Sequence, residues 1–92
     1  MPQIFRLGSY IVYFWSNENE PLEPIHVHVA TGKPRPNATK IWLTQTGKTL
    51  VMEWKSDINT KDQNDILRMI EANNRYIVDK WYEQFGEVSY YC

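Results

Sequence analysis

The hydrophobic periodicity of this chain changes once, after Trp54, and that change limits the fold more than any other feature. Up to Trp54 the apolar residues alternate with polar ones or run in short blocks between turn signals, which is the pattern of β-strands. From Thr60 onward Ile66, Ile70, Ile77, Trp81 and Phe85 recur at helical spacing, joined by Leu67, Met69, Val78 and Tyr82. No helical pattern separates one strand from the next, so the crossovers of a parallel sheet have no place in the sequence. The expected fold class is α+β: an antiparallel sheet of about five strands, a meander of hairpins, with a long C-terminal helix packed on one face. Residues 1–54 form the sheet, 60–85 the helix and 87–92 a tail, all in a single domain spanning 1–92.

Within the strand half, Gln3 to Leu7 ends at Gly8-Ser9, a pair suited to a type II′ hairpin turn. Tyr10 to Trp15 follows, apolar at nearly every position, which predicts a central strand covered on both faces. Asn17 to Pro24 carries Glu18, Glu20 and Glu23 with two prolines and reads as an exposed acidic loop. Thr31 to Asn37 is a second turn-rich loop, this one basic. Lys40–Thr44 and Lys48–Trp54 make a second hairpin, with Gly47 as the left-handed residue of its turn. In the helical half, Thr60 and Gln63 match a capping box, Asp62 sits near the positive end of the helix dipole, and Gly86 is a suitable C-cap. Asn73-Asn74 is where the helix would kink or split.

The chain is small, at 92 residues, and such a domain buries only about 60–65% of its unfolded surface. Four Trp, six Tyr and three Phe offset that, each able to bury about 150–250 Å². A net charge of −1 gives no global pull toward nucleic acid or membrane. The single cysteine, Cys92, allows no internal disulfide and fits a reducing cytoplasm. No signal-peptide pattern is visible, and the longest apolar run, Tyr10 to Trp15, is too short to span a bilayer. The expected location is cytoplasmic.

Chemistry points to Glu23-Pro24-Ile25-His26-Val27-His28-Val29. Its alternation places Ile25, Val27 and Val29 on a buried face and the chain's two histidines together on the other. Residues two apart on a strand are separated by roughly 6.6 Å, so the imidazoles can meet on one ligand. They can coordinate a transition ion, act as general acid and base at a phosphodiester, or bind an anion or a protein. The plainer reading is two polar positions on a sheet face. A metal site lacks a third ligand unless Glu23, Glu53 or Tyr13 is brought near, so neither a metal nor another cofactor is expected. The loop and strand cations Lys33, Arg35 and Lys40 lie beside this stretch and can neutralise phosphates, or stand as solvated charges. His26, His28, Lys33, Arg35 and Lys40 are thus the candidate binding residues, with His26 and His28 as candidate catalytic ones. Because the valine face already supplies the core, both histidines are expected to face solvent, and a double-alanine variant to melt near wild type. Trp42, Trp54, Trp81 and Tyr82 are expected to pack between sheet and helix.

Pro2-Gln3-Ile4, the aromatic strand Tyr10 to Trp15, Pro24-Ile25-His26-Val27-His28-Val29 and the helix reaching Lys80-Trp81 together resemble a family of small prokaryotic domains, domain of unknown function 4160. Family members place a histidine directly after the proline, whereas Ile25 intervenes here. The resemblance implies a cytoplasmic bacterial domain found in toxin–antitoxin-like arrangements. The expected function is therefore a partner-binding, non-enzymatic module with an antitoxin-like protein partner. The alternative is a small ribonuclease-like toxin that uses His26 and His28 on RNA.

Overall fold

The computed structural model describes residues 3–16, 21–35, 38–55 and 58–92. Pro2, the acidic loop positions Asn17 to Glu20, and Pro36 and Asn37 of the basic loop lie outside them. Five strands form one antiparallel sheet: β1 (Gln3–Leu7), β2 (Tyr10–Tyr13), β3 (His26–Thr31), β4 (Thr39–Leu43) and β5 (Thr49–Val51). They lie in sequence order, each beside the strand before it, as the lack of crossover helices requires. The fold is α+β, with helices packed against an open sheet.

The first hairpin closes between Leu7 and Tyr10 through Gly8-Ser9. Gly8 takes φ +59°, the left-handed value that primed hairpin turns demand at this place. Tyr10 to Tyr13 is an interior strand covered on both faces. Val12 packs with the helices, whereas Ile11 and Tyr13 are buried with Ala30 on the other side, against Trp15 and Ala38. The middle strand is β3. The second hairpin turns at Gly47, but its return strand is shorter than expected, ending at Val51.

The helical half is split. Helix α1 runs Thr60–Ala72 and α2 runs Asn74–Phe85. Asn73 leaves helical geometry at φ −107°, ψ 20°. Its side-chain amide donates to Met69 O at 2.8 Å, so the side chain bonds the carbonyl that the helix ladder would otherwise hold alone. The N-cap is Asn59, one residue before the expected Thr60. Its Oδ1 accepts from Asp62 N at 2.8 Å and its backbone is extended. Asn outranks Thr as a cap, and the frame shifts accordingly. Helix α2 ends as expected at Gly86, whose N–H reaches Tyr82 O.

One core joins the sheet to the helices: Val12, Phe14, Ile25, Val27, Val29, Ile41 and Leu43 meet Ile66, Ile70, Ile77 and Trp81. Trp81 is wholly buried, its ring 5.0 Å from Phe14 and 4.5 Å from Phe85. Residues 87–92 form neither helix nor strand, yet Val88 and Tyr90 pack on this core. Ile25 N donates to Ser89 O at 2.8 Å and Gln45 N to Cys92 O at 3.1 Å. Among the described residues, no helix is long and apolar enough to cross a membrane.

Candidate functional site

Antiparallel register decides what surrounds the histidines. His28 lies opposite Tyr13 of β2 and Lys40 of β4, and His26 lies opposite Trp42 of β4. The two imidazoles are 5.0 Å apart, nearly perpendicular. Tyr13 stands 5.5 Å from the His28 ring and Trp15 stands 6.4 Å from it. The spacing therefore brings the pair together as strand geometry predicts.

Their surroundings differ from the expected solvent-facing pair. His26 is fully buried, and only His28 is partly accessible. His26 is the first residue of β3, and its ring is packed by Trp42 and by Trp81 of α2, both at 5.3 Å. A carbonyl can only accept, so His26 Nδ1 carries a proton and donates it to Pro24 O at 2.9 Å. Alternation placed the histidines on the correct side of the strand. It could not show that aromatic rings from β4 and α2 close over the first of them.

Two of the basic candidates come to this face by different routes. The Tyr13 hydroxyl donates to Arg35 O at 3.2 Å and accepts from Arg35 N at 3.1 Å. This clasp folds the β3–β4 loop back over β2, which buries Tyr13 and brings the Arg35 backbone to the ring beside His28. The Lys33 and Arg35 residues are exposed. Lys40, across from His28, is instead paired with Glu23, and its ammonium lies 4.3 Å from the centroid of the Trp42 ring. It is thus a half-buried, neutralised cation and no free part of a positive patch.

Two aromatic expectations also need correction. Trp81 and Trp54 do pack on the sheet–helix core. Tyr82, however, is 59% exposed, and Trp42 stacks with Tyr91 on the histidine side, rings 4.9 Å apart and 17° from parallel. Helical spacing put Tyr82 one step from Trp81, and a residue adjacent to a buried one on a helix points about 100° away from it.

Of the residues weighed as a third metal ligand, Tyr13 is engaged with Arg35, Glu23 with Lys40, and Glu53 lies 3.7 Å from Lys55. Among the described residues, no three His, Cys, Asp or Glu side chains converge where an ion would sit. An open groove of about 620 Å³ runs along α2 beside Arg75, Val78, Asp79, Tyr82 and Tyr90, and it contains neither histidine.

The residues missed from sequence are Trp15, Glu23 as partner of Lys40, and Tyr91. Side-chain contacts from outside the strands join them to the site, and single-strand alternation carries no sign of these. Comparison with known proteins gives one match: a family model described as Domain of unknown function (DUF4160) covers residues 9–82. No curated protein and no solved structure matched the chain.

Proposed function

The chain belongs to the DUF4160 family, and from that premise we propose that it is a non-enzymatic, cytoplasmic module that binds a protein partner in a toxin–antitoxin-like pair. One observation carries this reading over the ribonuclease one: the burial of His26. General acid–base cleavage by two histidines needs both imidazoles within hydrogen-bond reach of the reacting phosphodiester. Here one ring is enclosed by Trp42 and Trp81 while the other is partly open. What remains accessible around His28 is a mixed surface of aromatic and charged groups: Trp15, the Glu23–Lys40 pair and the loop carrying Lys33 and Arg35. Aromatic and Arg side chains on one patch are the composition of protein interfaces.

The test is expression of the full chain in a bacterial host, with growth and total RNA followed over time, and with retained proteins quantified on the tagged chain. We expect intact RNA and one protein retained in a fixed ratio. That ratio should fall at least tenfold in a His28→Ala/Arg35→Glu variant that melts normally. RNA loss that vanishes in a His28→Ala variant melting within a few degrees of wild type would overturn the reading in favour of the nuclease.

A further inference from the structure

The segment Ser89–Cys92 occupies a seat that the sheet builds from three parts. Two are main-chain donors, Ile25 N to Ser89 O at 2.8 Å and Gln45 N to Cys92 O at 3.1 Å. The third is the indole face of Trp42, on which Tyr91, a residue between the two acceptors in the chain, stacks at 4.9 Å and 17°. The register of β3 and β4 puts both donors on the same side of Trp42, which pairs with His26. Leu43 N donates to Ile25 O, and Gln45 lies just beyond Leu43 in the chain. The occupant is extended in its side-chain pattern: Tyr90 packs inward on the core while Tyr91 stacks on Trp42. Yet it forms no strand, and Tyr91 remains 53% exposed. Two main-chain N–H donors beside a ring platform read a polypeptide, through its carbonyls and one aromatic side chain.

We infer that this seat is a recognition site for an extended polypeptide bearing an aromatic residue, and that Ser89–Cys92 is its built-in competitor. The inference deepens the partner-binding reading and rests on it for the identity of the visitor as a protein. Physically, the resident segment is tethered, so its effective concentration at the seat is in the millimolar range or above. A visiting segment must outcompete it. The ring stack is the part of the resident's hold that a single substitution removes without emptying a core position, since the two carbonyls belong to the backbone and Tyr90 packs on the core.

The probe is a labelled synthetic peptide, Glu-Val-Ser-Tyr-Tyr-Ser, which is the resident sequence from Glu87 with serine in place of Cys92, titrated into three full-length proteins: wild type, Tyr91→Ala and Tyr91→Phe. Tyr91→Ala should bind it at least tenfold more tightly than wild type. Tyr91→Phe, which keeps the stack, should exclude it as wild type does. Since Tyr91 is more than half exposed, Tyr91→Ala should fold, and its melting curve checks that. Equal binding by all three proteins, or none by Tyr91→Ala, would overturn the inference. So would preferential capture by Tyr91→Ala of a single-stranded RNA oligonucleotide over the peptide. Failure here with a partner still retained by the wild type sinks the seat alone. Peptide binding without any retained partner sinks only the reading of the protein as one half of a pair.

Discussion

Tyr10 donates its phenolic proton to Asp62 Oδ2 at 2.7 Å, which ties the second strand to the first turn of α1. Asp62 also receives the Asn59 side-chain amide, and its own N–H goes to Asn59, so cap and sheet meet on one residue. The bond to Asp62 holds the Tyr10 phenol above its ordinary pKa of 10.0, with burial and the nearby carboxylate charge acting the same way.

A raised folded-state value means that stabilisation is complete below about pH 10 and is lost as pH rises through the folded value. Tyr10→Phe should therefore remove about 1 kcal/mol at neutral pH, the low end for a charge-assisted bond because solvent reaches both groups. The difference from wild type should shrink at strongly alkaline pH. Urea denaturation at pH 7 and above pH 10 measures both; a gap that widens with pH would contradict the bond.

Asn59→Ala should cost about 1 kcal/mol, the usual loss of an N-cap, whereas Thr60→Ala should cost only a few tenths. Paired denaturation curves decide it. The reverse order would move the cap to Thr60 and unmake the Asn59–Asp62 exchange.

Trp81→Ala empties a site enclosed by Phe14, Phe85 and His26. The expected loss is about 3–5 kcal/mol, a large part of what a small domain has in reserve. Near-ultraviolet circular dichroism and thermal melting should show much of the variant unfolded at 37 °C. A melt within a few degrees of wild type would mean that α2 does not dock through this ring.

The two histidines should separate energetically. His26→Ala removes a buried ring and leaves Pro24 O without its donor, for a cost of about 2–3 kcal/mol. His28→Ala should cost about 1 kcal/mol or less because solvent already reaches it. The double variant should melt well below wild type, contrary to what alternation alone suggests. Chemical denaturation of the two single variants tests the order, and a larger cost at His28 would refute it.

Much of this was legible in the sequence because period and turn chemistry are local. Gly8, Gly47 and Gly86 mark their turns and cap, Val27 and Val29 mark the buried face, and the shift of period at Thr60 marks the helical half. What failed depends on contacts that exist only once the chain has folded. Asn73 competes for Met69 O only once a helix has formed, which propensity weighs too little to decide. The enclosure of His26 needs Trp42 and Trp81, distant in the chain, to arrive at one ring. The Tyr13 clasp on Arg35 likewise links a strand to a loop it does not adjoin in sequence.

The in-order meander has a consequence in time. Each strand pairs with its predecessor, so the sheet is built from pairings near in sequence, which cost less closure entropy than distant ones and favour early formation. Helices of 13 and 12 residues are marginal by themselves and gain their stability only on that sheet. Ser89, whose carbonyl takes the Ile25 amide beside His26, follows every strand and both helices in the chain. During synthesis from the N-terminus, the histidine strand is made long before Trp81 of α2, one of the two rings that shut His26 in. Until Trp81 has been made, His26 lacks one of the two rings that enclose it.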